Sequence, residues 1–168
     1  MAGLPQGVEI RPIAEEHIAG FHATVDSVAR ERRYVAMLKA FPLEETERFV
    51  RESIRRNHPH FVAIAGGKVV GWCDIQPLPR ETMAHGGVLG MGLIDGYREQ
   101  GIGLALIRAT LDKARANGMT RVELTLREDN LRAKALYEKV GFAVEGVKRK
   151  ASLHDGKYYD QIAMALLL

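Results

Sequence analysis

The stretch Tyr97-Arg-Glu-Gln-Gly-Ile-Gly103 joins a charged turn to a long apolar segment, with glycines at 101 and 103. Glycine weakens a helix start, so two of them imply a compensating use. The first amides of a helix have no internal partner, and with the helix dipole they favour an anion. Side chains at 101 and 103 would keep a bulky phosphate from those amides, and Arg98 adds a positive charge just outside. A pyrophosphate suits such a turn; tight helix–sheet packing is the other use of the glycines. Two common nucleotide patterns are excluded. The triphosphatase pattern G-x-x-x-x-G-K-[ST] is absent. The dinucleotide pattern G-x-G-x-x-G fails twice: Leu106 takes its third place counted from Gly101, and Asp95 takes it counted from Gly90.

The elements that must hold this turn follow from periodicity. "VEIRPI" alternates as a first strand, and Ile18, Phe21, Val25 and Val28 then recur at helical spacing. "LEETERFVRESIRR" fits a second helix, preceded by Pro42 and ended by "NHP". "HFVAIAGGKVVGWCDIQ" reads as a hairpin around Gly66-Gly67. A strand from about Gly87 to Ile94 carries Gly90 and Gly92, a sign of a bulge or of something approaching its backbone closely. The helix after the glycine turn spans about Gly101 to Asn117 and is apolar nearly all round, so it is buried on more than one side. "RVELTLR" is a strand. "NLRAKALYEKVGF" is a short helix capped by Asp129 or Asn130 and ended by Gly141. Two last strands flank Asp155-Gly156. The order β-α-α-β-β-β-α-β-α-β-β is that of a mixed α/β fold, an α+β type with one mixed sheet, expected to form one domain over residues 7–168.

Two of these segments resemble the signatures of a known family. "R-E-Q-G-I-G", Arg98 to Gly103, is similar to the acetyl-CoA signature R/Q-x-x-G-x-G/A of the GNAT superfamily of N-acetyltransferases. "N-L-R-A-K-A-L-Y-E-K-V-G-F", Asn130 to Phe142, resembles its second marker, N-x-x-A-x-x-x-Y-x-x-x-G-F. The element order agrees along nearly the whole chain. "G-x-Y-x-D" at Gly156, Tyr158 and Asp160 is similar to a bacterial subgroup acting on amino acids or protein N-termini.

The resemblance implies acetyl-CoA as co-substrate, lying in a V-shaped gap between the fourth and fifth strands. The backbone of Met91, Gly92 and Leu93 would pair with the pantetheine arm. Arg98 and the turn Glu99, Gln100, Gly101, Ile102, Gly103 and Leu104 would hold the pyrophosphate, and Asn130 would contact the arm or shape the turn near it. An amine would attack the thioester directly. The attack requires a neutral amine, an oxyanion donor on the fourth strand near Met91 or Gly92, and a proton for the leaving thiolate, for which Tyr137 is the family's usual donor. By spacing alone Tyr137 reads as a packing residue, and the resemblance turns it toward chemistry. Many relatives carry a Glu on the fourth strand as base, but "HGGVLGMG" has no carboxylate. His85 could relay a proton through water there, and Glu31 and Asp74 are the other candidates. An α-amine, with a reference pKa of about 8, needs less help than a lysine side chain at about 10.4, which turns the reading toward an α-amine acceptor.

Among other features, "ARERRY" offers Arg30, Arg32 or Arg33 to a substrate carboxylate, although such runs commonly form a solvated helix face. Cys73 reads as a small buried residue rather than an acyl relay. His58 and His60 read as a loop-to-strand boundary rather than a metal pair, and no metal is expected. The totals agree with a globular enzyme: 168 residues, 46% hydrophobic, with 24 Lys plus Arg against 21 Asp plus Glu. A net charge of +3 gives no reason to expect a nucleic-acid partner. One cysteine fits a reducing compartment. No apolar run reaches membrane-span length and "MAGLPQGVEI" lacks a secretory pattern, so a cytoplasmic protein is expected. The expected acceptor is a small-molecule amine such as an amino acid. The alternatives are a protein or peptide N-terminus, or acyl-CoA binding without catalysis. Homodimerisation is left open, with "AMALLL" either ending a core strand or joining an interface.

Overall fold

The computed structural model describes residues 3–168; Met1 and Ala2, the start of the segment read above for a secretory pattern, lie outside them. The main elements are β1 (Val8–Pro12), α1 (Ile18–Arg30), α2 (Leu43–Arg55), β2 (His60–Ala65), β3 (Lys68–Pro77), β4 (Gly86–Leu93), α3 (Ile102–Ala116), β5 (Arg121–Arg127), α4 (Leu131–Lys139), β6 (Ala143–His154) and β7 (Lys157–Leu167). Short 3-10 turns at Glu15–His17 and Glu81–Met83 were not expected. The seven strands form one sheet in the order β1-β2-β3-β4-β5-β7-β6. Every pairing is antiparallel except that of β4 with β5. "AMALLL" lies in β7, between β5 and β6, with Met164 and Ala165 buried.

Two apolar cores cover the two faces of the sheet. On one, Ile18, Phe21, Val25 and Val28 of α1 and Val50 of α2 pack on Val62 and Trp72. On the other, Ile102, Leu106, Ile107 and Leu111 of α3 pack on Cys73, Ile75 and Leu89, and Tyr137 and Phe142 join them. β3 is buried from Val70 to Ile75, so alternation sends its side chains into both cores. Trp72 goes to the α1/α2 side, and Cys73 and Ile75 go to the α3 side. Asp74, two residues from Trp72, therefore shares the α1/α2 face with it. Burying a carboxylate in a central strand is costly without a role or a partner.

α3 begins one residue later than its sequence pattern suggests. Gly101 is its cap, at φ 83° in the left-handed region that L side chains rarely adopt. Of the two candidate caps for α4, Asn130 does the work: its Oδ1 accepts from the Ala133 amide at 3.2 Å. Asp129 instead pairs with Arg127.

Candidate active site

β4 and β5 are paired only from Gly86–Val88 to Arg121–Glu123. Beyond that point they diverge, leaving Leu89–Leu93 and Leu124–Arg127 as the walls of a gap. Backbone groups freed by such a splay need partners from elsewhere. Two cavities open into it, of about 570 Å3 on the α1/α2 side and about 330 Å3 toward α3 and α4. Tyr34, Met91, Asn130 and Tyr137 line both, so the cavities meet there.

The smaller cavity is walled by Met91, Gly92 and Leu93 on β4 and by Arg98, Glu99, Gly101, Gly103 and Leu104 at the start of α3. The two turn glycines do different jobs. Gly101 supplies a positive φ, and a Cβ there would meet open space. Gly103 supplies closeness: a Cβ there would come within 3.3 Å of Leu136 Cδ2. The packing explanation of the glycine pair therefore holds at Gly103, whereas Gly101 answers to its backbone conformation. Gly92 is a further close approach, because a Cβ would lie 2.5 Å from the Trp72 ring. Free first-turn amides beside a splayed strand edge can hold a molecule with an anionic end and an amide-bearing arm.

The larger cavity has an apolar wall that includes Phe21, Phe41, Phe49, Trp72 and Met37. Polar side chains share the wall with them. Asp74 reaches it from β3, 7% exposed, and its Oδ2 accepts from Gln76 Nε2 at 3.0 Å. Burial pushes the Asp74 carboxyl up to about 7, against the opposing pull of the Gln76 hydrogen bond and of the Trp72 side chain. Ser152 Oγ and His154 Nδ1 on β6 are buried without a hydrogen-bond partner and line the same cavity. At the junction, the Tyr137 ring is 8% exposed and its phenol is raised by burial, so it stays protonated at neutral pH.

The sequence profile of the Acetyltransferase (GNAT) family matches residues 22–142, most of the chain. The chain belongs to that family. The L-amino acid N-acetyltransferase AaaT of Escherichia coli K12 is 32% identical over 105 residues, covering 62% of this chain and 65% of that protein. The match thus spans less than two thirds of that relative's length. A GNAT-family acetyltransferase from Streptococcus pneumoniae, at 26% identity, superposes with a TM-score of 0.89 over 96% of this chain and 99% of that one. The fold is also that of yncA, a putative acetyltransferase from Salmonella typhimurium solved with acetyl-CoA. There the TM-score is 0.91 at 15% identity, over 97% and 95% of the two chains.

In this GNAT chain most of the residues expected at the cofactor gather at the smaller cavity. Two do not line it. The Ile102 side chain is fully buried in the α3 core, and Gln100 donates to the Gly96 carbonyl at 2.7 Å. Arg98 lines the cavity, but its guanidinium is engaged elsewhere. It donates to both Glu31 carboxylate oxygens at 2.8 and 2.5 Å and to the Leu93 carbonyl at 2.9 Å, and it stacks 4.4 Å from the Tyr34 ring. Its charge is neutralised by that pair, so it braces the turn against α1 and β4. Arg132 and Lys139 of α4 line the cavity too and were missed. Each sits inside the second marker segment, two residues after Asn130 and two after Tyr137, and only the placement of α4 gives them that role.

Three candidate bases part company. His85 is not brought to the gap. It precedes β4 at the closed end, where its carbonyl accepts from Thr120 and the strands are still paired. Six residues of strand separate it from Met91, about 20 Å at ~3.3 Å per residue. It lines neither cavity, and a water relay has no route over that distance. Glu31 is committed to Arg98 and also lines neither. Asp74 alone of the three faces the larger cavity. Cys73 is fully buried on the α3 face, and burial raises its thiol, which keeps it inert. His60 is buried with both ring nitrogens unpartnered, against Phe21 at 4.9 Å between ring centroids. His58 bonds Gln76. Neither histidine joins a metal-binding group among the described residues.

Proposed function

We propose that the chain transfers the acetyl group of acetyl-CoA to the primary amine of a small molecule, with an amino acid as the first candidate. The observation that carries this reading is the meeting of the two cavities at Tyr137, Met91 and Asn130. One cavity suits the cofactor and the other its acceptor, and they share a boundary where a thioester and an amine would touch.

In this reading the amides that open α3 take the diphosphate, and the β4 edge from Met91 to Leu93 accepts the pantetheine amides as an added strand. The thioester carbonyl then lies against the β4 backbone, where an N–H near Met91 or Gly92 stabilises the developing oxyanion. The amine arrives from the larger cavity. Nitrogen bonds to the carbonyl carbon, the carbon–sulfur bond breaks, and Tyr137 gives its proton to the departing sulfur. Burial keeps that phenol protonated, so its proton is present when the sulfur departs. The large, mostly apolar acceptor cavity favours a compact amine over a polypeptide. We place the activity in the cytoplasm, in keeping with a single, buried cysteine.

The test has two arms. Calorimetric titration with acetyl-CoA is expected to give one site per chain, weakened by changes at Gly101. A screen of amines, amino acids and short peptides is expected to release free thiol with small amines. Absence of binding, or binding unaffected by the α3 turn, overturns the reading. Binding without thiol release for any acceptor would make the chain an acyl-CoA-binding module, and release with peptides only would move the acceptor to protein N-termini.

A further inference from the structure

The larger cavity holds a carboxylate in its wall that is 7% exposed. Asp74 sits in the most buried strand of the sheet, and no cation contacts it among the described residues; its hydrogen-bond partner is the neutral amide of Gln76. Its Oδ1 lies over β4 at Gly90, where a Cβ would stand 3.6 Å away. Gly90 is the residue before Met91, at which the two cavities join. The carboxylate is therefore held beside the opening strand edge, on the acceptor side. Its orientation is fixed from behind. Gln76 donates one amide hydrogen to Asp74 Oδ2, its Nε2 lies 3.4 Å from Ser53 Oγ, and its carbonyl oxygen is 3.1 Å from His58 Nδ1.

Resting on the acetyltransferase reading above, we propose that Asp74 is the residue that takes the proton from the acceptor ammonium, and that Gln76, held by His58 and Ser53, is its positioning residue. The proton balance closes. Asp74 carboxylate removes one proton from R–NH3+, and the neutral amine attacks the thioester carbonyl. The nitrogen sheds its second proton as the amide forms. Tyr137 protonates the thiolate and recovers a proton from that nitrogen directly or through water. Asp74 returns its own to solvent, so each turnover releases one proton. β4 then needs no carboxylate of its own, because the neighbouring strand supplies one beside Gly90.

Burial raises the Asp74 carboxyl to about 7, which suits a base working near neutral pH. The charged and titratable groups around it are few. His60 of β2 stands opposite in register and is itself held neutral by burial. Glu45 of α2, Arg33 of the α1–α2 connection, Arg127 of β5 and His154 of β6 line the same cavity, as does Tyr137. Of these, Arg127 is engaged with Asp129.

The experiment compares wild type, Asp74→Asn and Gln76→Met in thiol release against two amine acceptors of different amine pKa. Acetyl-CoA affinity is measured alongside. Asp74→Asn is expected to lower kcat/KM by about 100- to 1,000-fold at pH 7, within the usual range for a lost base, while acetyl-CoA binds as before. The wild-type acid limb near pH 7 is expected to hold its position with both acceptors, and to vanish in Asp74→Asn. Gln76→Met removes a hydrogen bond that lowers Asp74, so that limb is expected to move to higher pH, a change that loss of packing alone does not produce. Wild-type turnover that Asp74→Asn leaves within twofold, with the limb intact, overturns the assignment of Asp74 and spares the acetyltransferase reading. No turnover by wild type with any amine overturns both.

Discussion

The two halves of the site are built from different materials. The turn into α3 is made of backbone: Gly101 supplies a left-handed cap, Gly103 a close approach to Leu136, and the first-turn amides are the groups proposed to bind the cofactor. The larger cavity is made of side chains from α1, α2, α4, β3 to β7 and the 31–42 connection, each reaching in from a different part of the chain. A backbone site must place glycines at fixed spacing, which leaves a short linear pattern. A side-chain site can be assembled from residues of almost any spacing. The difference teaches that changes in the turn should act on the cofactor alone, whereas changes in the larger cavity should act on the acceptor and on pH response. Tyr137, on the boundary, should act on neither affinity but on the rate.

The boundary residue gives the largest expected effect. Tyr137→Phe keeps the ring packed against Phe142, whose centroid is 5.7 Å away, and removes only the hydroxyl. The fold and acetyl-CoA affinity are expected to be unchanged, and kcat to fall about 100-fold, roughly the rate supplied by a positioned acid. Steady-state kinetics with a calorimetric control would check this. Undiminished turnover across the pH range would remove Tyr137 from the chemistry and leave it as core.

Next in size is a stability effect beneath the larger cavity. His60 is buried, unpartnered and pushed down to about 3, mainly by desolvation. The folded state therefore resists a proton that the unfolded chain accepts below about 6.5. Stability from this position is present above 6.5 and is lost progressively as pH falls from there toward 3. At pH 5 the cost is about 2 kcal/mol, from 1.36 kcal/mol per pH unit below the unfolded value. His60→Phe keeps an aromatic ring against Phe21 and abolishes the proton site. Its Tm relative to wild type is expected to rise steadily as pH drops from 7 to 5. A constant offset over that range would mean that His60 titrates normally in the fold.

Smaller again is the effect of a branched side chain at the backbone site. Gly101→Val forces an L residue to φ 83°, at a cost of about 1 to 2 kcal/mol, although its Cβ would meet nothing. If that strain is relieved by distorting the turn, the KM for acetyl-CoA is expected to rise about tenfold, equivalent to 1.4 kcal/mol, with the acceptor KM unchanged. A rise in both would break the division between backbone and side-chain halves.

This division also explains what was legible in the sequence. The helices, the strands and the glycine turn into α3 are readable because apolar period and glycine spacing are local. The gap itself needed the sheet: only the register shows that β4 leaves β5 after Val88, which put His85 at the closed end and not at the chemistry. Asp74 was one of three candidate bases, but its place on the acceptor face depends on the alternation of a strand buried on both sides. Arg98 looked like a free cation until the packing of α1 brought Glu31 against it. Long-range pairs of this kind leave no spacing to read.

Arg33 offers the finest test of the side-chain half. Its neighbours are already used: Arg30 pairs with Asp26 at 2.6 Å and Arg32 with Asp155. Arg33 makes no ion pair among the described residues, lines the larger cavity and lies 5.8 Å from the Tyr34 ring. A cation at the wall of a mostly apolar cavity, which also holds the carboxylate proposed to meet the amine, suits an acceptor that carries a carboxylate of its own. The side chain is exposed, so water screens the contact and about 1 kcal/mol is a reasonable scale for it. Arg33→Ala is then expected to raise the KM for an amino acid about fivefold and to leave that for the corresponding amino acid amide unchanged. The paired comparison isolates the charge, because the two acceptors differ only at the carboxyl end. Equal effects on both would mean that Arg33 shapes the cavity mouth through bulk and stacking on Tyr34, and that the acceptor's carboxylate, if it has one, is met elsewhere.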